Sequence, residues 1–176
     1  MAHTAIVQSY CERDKSKSAA ELQFYQSLSF TQAVSAAALA LKPNWRRHGH
    51  QRWAPQASLH LAESRLHRAA NRLHDSRTFH DLFCAIEQFT SNIPGLGELY
   101  FYDTALRVGI NLGLEPRYVY LHRGTREGAK ALGLKNFRSP WIEVSDLPRT
   151  FQKLRPRELE DLLCVYREQL RPQTAG

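Results

Sequence analysis

Hydrophobic residues along the chain recur mostly three or four positions apart, the spacing of one face of an α-helix. Leu22, Tyr25, Leu28, Phe30, Val34, Ala37 and Leu41 form the first series. Ser18-Ala19-Ala20-Glu21 has the form of a capping box, so a helix is predicted to begin near Ala19, and Pro43 ends it. A second series, Leu59, Ala62, Leu66, Ala69 or Ala70 and Leu73, predicts a helix opened by Pro55 or Ser58. Thr78 caps a third, with Phe79, Leu82, Phe83, Ile86 and Phe89 facing inward. A fourth runs from about Glu98 to Leu112, and a turn of helix is predicted at 149–154. Pro156 suits the first position of a last helix carrying Leu159, Leu162, Leu163, Tyr166 and Leu170. Only Tyr118 to Leu121 looks like a strand, so the predicted fold class is mainly α with little or no β. Residues 1–17 are expected to be a flexible segment and 18–176 a single helical domain.

No run approaches the ~20 apolar residues of a membrane span. The first twenty residues lack the basic start and apolar run of a signal peptide, so no membrane partner and a cytoplasmic location are expected. Cys11, Cys84 and Cys164 form neither a disulfide framework nor a zinc knuckle.

The net charge is +7, unevenly spread. Residues 42–80 hold eight bases, two acids and six of the eight His. Residues 81–116 set Arg107 alone against Asp81, Glu87, Glu98, Asp103 and Glu115, and residues 117–139 return to a surplus of five bases. Two basic blocks around an acidic one suit a polyanion touching two patches. Arg65, Arg68 and Arg72 lie on one stripe of the second helix, away from its apolar face, while His60, His67 and His74 recur every seven residues. The stretch KPNWRRHGHQRWAP interleaves Trp45 and Trp53 with Arg46, Arg47 and Arg52. It either stacks bases and neutralises phosphates or buries its indoles under solvated arginines.

Seven of the nine Gly fall between Gly95 and Gly133. Ile93-Pro94-Gly95-Leu96-Gly97 stands between the third and fourth helices. This helix, Pro-Gly-x-Gly turn and second helix, over about residues 78–112, resembles the helix-hairpin-helix motif. There the turn aims amide N–H groups beside a positive helix end and grips a phosphate. The stretch from Pro116 to Leu134, PRYVYLHRGTREGAKALGL, also resembles helix-hairpin-helix DNA glycosylases, so the likeness covers about residues 78–135. It implies a glycosylase-like scaffold without glycosylase chemistry: the position of the family's Schiff-base lysine holds Leu99, and that of its catalytic aspartate holds His122. Glu98 at the positive helix end, with Asp103 beyond it, keeps open a plain structural joint between two helices.

The expected function is therefore sequence-independent binding of DNA or RNA. Gly95, Leu96 and Gly97 supply amides, Arg46, Arg47, Arg65, Arg68 and Arg72 form one patch, and His122, Arg123, Thr125, Arg126 and Lys130 form an anion-binding second. No metal or cofactor is expected. The alternatives are a protein-interaction subunit, or an enzyme using His122 with Asp103 or Glu127 as helper.

Overall fold

The computed structural model describes residues 2–13 and 15–171. The fold is mainly α. In chain order the helices are α1 Ala2–Arg13, α2 Lys15–Ser27, α3 Phe30–Ala38, α4 Gln56–Arg68, α5 Ala70–His74, α6 Phe79–Thr90 and α7 Glu98–Leu112. Strand β1 (Val119–Tyr120), helix α8 (Arg123–Ala131), strand β2 (Trp141–Ile142) and helix α9 (Pro156–Val165) follow. The two strands pair antiparallel, Val119 opposite Ile142. No helix among the described residues is long and apolar enough to cross a membrane.

Two compact units divide the chain, Ser18–Glu115 on the one hand and Met1–Lys17 with Pro116–Gly176 on the other. Ile6 and Tyr10 of α1 are buried in a core with Val119, Ile142, Phe151, Leu159 and Leu163. Tyr10 meets Tyr166 edge-on, and burial, followed by the nearby Asp161 and Glu158 carboxylates, pushes its phenol pKa well up. Positions 149–154 form consecutive turns that bury Phe151 and Leu154, and Pro156 opens α9 as predicted.

In the unit Ser18–Glu115, the helix predicted from Ala19 to Leu41 is two helices that meet at Ser29. Its hydroxyl accepts the Gln32 amide while the Gln32 side chain accepts the Ser29 amide, a capping box that restarts the helix. The capping box predicted at Ser18 is not the helix start, since α2 already runs from Lys15; the Ser18 side chain lies outside the described residues. The second predicted helix steps at Ala69 (ψ 9°), yet Ala69 N–H bonds Arg65 O and Leu73 N–H bonds Ala69 O across the step. Thr78 and Asp81 cap α6 reciprocally, as the sequence pattern requires. Leu59 and Ala62 of α4 pack with Ile93, Leu96, Tyr100 and Phe101, so the segment between α6 and α7 is anchored in the core by two apolar side chains.

Candidate nucleic-acid interface

The loop joining α3 to α4 is a folded hairpin. Lys42 N–H bonds Arg46 O at 2.9 Å, Trp45 N–H bonds Lys42 O at 2.8 Å, and Leu41 pairs with Arg47 across an antiparallel bridge. A three-residue hairpin turn of this kind ends on a left-handed residue, usually glycine. Here that residue is Trp45, at φ 59°. His48 N–H bonds Ala40 O, the Tyr25 hydroxyl bonds Leu41 O, and the Arg47 guanidinium bonds Ala54 O at 3.2 Å. A fixed backbone therefore displays Trp45, 59% exposed, and Trp53, 80% exposed. The Arg52 guanidinium lies 4.9 Å from the Trp53 ring centroid, and Trp45 meets Phe24 edge-on. Of the two readings of this loop, the structure supports outward indoles.

Behind the loop lies a buried polar network. The Arg107 side chain, 4% exposed, donates through Nε to Glu21 at 3.1 Å, through Nη1 to the Gln51 carbonyl oxygen at 3.2 Å and through Nη2 to Asp103 at 3.4 Å. The Gln51 amide donates to Asp103 at 2.7 Å, and His48 Nε2 sits 3.1 Å from Glu21. Burial by itself would raise the Glu21 pKa, but the His48 hydrogen bond and the Arg107 charge outweigh it and hold the carboxyl at about 2. Burial works against the Arg107 charge too, and the Asp103 carboxylate, then Tyr25 and Glu21, more than reverse it. Asp103 thus faces inward, whereas Glu98, the first residue of α7, is exposed beside the turn.

The Pro-Gly-x-Gly segment joins α6 to α7. Gly95 takes φ 82°, and a Cβ there would lie 2.7 Å from a ring carbon of Pro55, so glycine is demanded twice over. Ser58 Oγ donates to Pro94 O at 2.6 Å. The turn is therefore seated on the start of α4, two residues beyond Trp53. Leu96 is not an outward amide: its N–H bonds Ile93 O and its side chain is buried. Gly97 is exposed at the N-terminus of α7, extended at φ −141°, with no side chain capping the helix. Of the basic stripe, Arg68 and Arg72 are exposed, whereas Arg65 is held by Asn92 and by Phe89 O. Arg46 is exposed and Arg47 is half-buried on Ala54 O. The histidine series is not a uniform ridge, because His67 bonds Ser35 Oγ at 2.7 Å.

The second predicted patch belongs to the other unit and divides into two kinds of residue. His122 is 4% exposed. Its Nδ1 accepts the Gly124 N–H, which places the ring proton on Nε2, 2.5 Å from the buried Glu160 carboxylate. Its backbone N–H donates to the buried Thr125 hydroxyl. His122 and Thr125 are therefore the cap of α8 rather than surface anion ligands, and the partner of the imidazole is Glu160, not Asp103 or Glu127. Gly124 is used by the protein itself, since a Cβ there would lie 2.7 Å from Cys164 Sγ, and one at Gly128 would lie 2.1 Å from Leu163 O. Both let α8 press onto α9. Arg123 and Lys130 are exposed and Arg126 is half-buried, with Glu127 shared between Arg123 and Arg167. Lys130 and Arg171 line an open cleft of about 600 Å³ with Glu127 and Gly133. No group of three or more His, Cys, Asp or Glu suited to a metal ion occurs among the described residues.

Sequence reasoning missed Glu160 and the Arg107–Glu21 pair. The one base in an acidic block was the available signal for Arg107, and nothing local marked Glu160. No family model, curated protein or solved structure matches the chain.

Proposed function

We propose that this chain binds nucleic acid by its phosphate backbone, without reading sequence, on the unit Ser18–Glu115. The observation that carries the reading is a group of exposed arginines on this unit that no carboxylate among the described residues neutralises. Glu21 and Asp103 are turned onto Arg107, and Asp81 is spent on its own helix cap. Arg46, Arg52, Arg68 and Arg72 are exposed and form no ion pair among the described residues. Asp75, Glu98 and Glu115 are exposed on the same unit, and it is the arginines held apart from carboxylates that are free to displace counterions from a polyphosphate. Gly97, exposed and without a side chain, adds a close approach to the positive end of α7. Arg123 and Lys130 offer further positive charge on the other unit.

Fluorescence anisotropy of labelled oligonucleotides of unrelated sequence tests this. Affinity should be similar across sequences and fall steeply between about 50 and about 200 mM salt, with removal of four phosphate contacts reducing the slope of log K against log salt by about 3. The variant is R46A/R52A/R68A/R72A. Binding that is indifferent to salt, or unchanged in this variant, refutes the reading.

A further inference from the structure

We infer that the loop of residues 42–54 is a stacking platform for unpaired bases, so that the nucleic acid bound on this unit is single-stranded or locally opened rather than intact duplex. The inference rests on the nucleic-acid reading above and adds the state of the strand. Trp45 and Trp53 are two of only four large hydrophobic side chains exposed among the described residues. Both belong to one short loop. An indole in water forgoes the burial that ordinarily repays its size, and Trp45 in addition occupies a left-handed position that glycine fills without strain.

The display is also rigid. Bonds from Lys42, Trp45 and His48 to Arg46 O, Lys42 O and Ala40 O fix the hairpin, while Gln51 is held by Arg107 and Asp103 on the far side of the loop. Aromatic rings carried on a fixed backbone lose less entropy when they bind flat partners. Charge selects among flat partners. Residues 42–54 contain Lys42, Arg46, Arg47 and Arg52 and no acid, so a second copy of the loop is repelled and a polyanion attracted. Arg52 lies against the Trp53 ring and places a cation where the phosphate beside a stacked base would run. Within a duplex, base faces are already covered by their neighbours and only edges are offered, so a stacking surface favours the unpaired strand.

The test uses the full chain with a labelled mixed-sequence single strand and the same strand annealed to its complement, at low salt. The single strand should bind more tightly. W53A and W45A should each weaken it about five- to 150-fold, the range of one base–aromatic stack, with a smaller effect on duplex. W53F should keep most of the affinity while losing part of the quenching of intrinsic fluorescence. Both indoles are exposed, so circular dichroism should show all three variants folded. Equal binding of both forms, with the tryptophan variants unaffected, overturns the inference and leaves backbone binding intact. Binding of neither form overturns both. Self-association of the wild type in sedimentation, abolished in W53A, assigns the surface to a second copy and overturns it as well.

Discussion

Arg107 and Glu21 meet at 3.1 Å although 86 residues separate them, and the same guanidinium holds Gln51 of the tryptophan loop. One buried cation thereby joins α2, α7 and the display loop. Removing one partner of a buried pair strands the other without its counter-charge, so R107A should cost about 3–5 kcal/mol by urea denaturation. The conservative R107K retains the charge but not the three-way fork, and should recover only part of that loss. A cost below about 1 kcal/mol in R107A would show that the network does not hold the unit together.

The same network fixes the sign of an acid effect. Glu21 stands near pKa 2 in the folded chain against an ordinary value of 4.5, so the unfolded chain takes up its proton first as pH falls. The stabilisation from Glu21 is fully present above pH 4.5 and is lost progressively as pH falls toward about 2. In urea midpoints measured across this window, the wild type should lose stability more steeply than E21Q, and the two curves should converge at the acid end. Parallel curves would count against the depressed carboxyl.

Much of the helical scaffold was legible because it is written locally. Thr78 with Asp81 and Pro156 at the start of α9 are signals within four residues of the boundaries they set. The break at Ser29 was equally local, yet the apolar series runs through it and conceals the cap. What could not be read is what depends on distant partners. His122 and Thr125 look like an exposed anion loop until Glu160 is brought against the imidazole, and within the acidic block nothing local separates Asp103, which faces Arg107, from the exposed Glu98. The side a charged residue faces is a tertiary fact.

Trp45 supplies a case in which the display loop opposes stability. A left-handed conformation costs an L-residue about 1–2 kcal/mol, and glycine removes that cost at the expense of the edge-on contact with Phe24. W45G should therefore be neutral or more stable by up to about 1 kcal/mol in chemical denaturation, although it deletes the largest of side chains. A destabilisation of more than about 1 kcal/mol would mean that packing of the indole outweighs its backbone strain.

Three glycines separate structural demand from ligand approach. A Cβ at Gly97 meets nothing within 4 Å and its extended backbone suits alanine, so G97A should cost only the poorer N-cap preference of alanine, no more than about 1 kcal/mol. At Gly95 a Cβ meets both a positive φ and Pro55, and at Gly128 it meets the backbone of Leu163 at 2.1 Å; G95A and G128A should each cost about 2 kcal/mol or more. If a phosphate approaches the start of α7, G97A weakens binding while the protein stays folded. Full affinity in G97A would remove this amide from the interface.

His122 gives the sharpest separation between structure and binding. Its imidazole accepts the Gly124 amide and donates toward Glu160, and both residues are buried between α8 and α9. H122A removes a helix cap and the imidazole partner of a buried carboxylate together, so it should cost about 2–4 kcal/mol in urea denaturation. Because the ring is enclosed, the folded fraction should bind a single-stranded oligonucleotide with wild-type affinity and the same salt slope. The exposed cations of the same helix predict the reverse: R123A/K130A should leave the urea midpoint within about 0.5 kcal/mol and lower the salt slope if this unit joins the interface. Loss of binding in folded H122A would return the imidazole to the site.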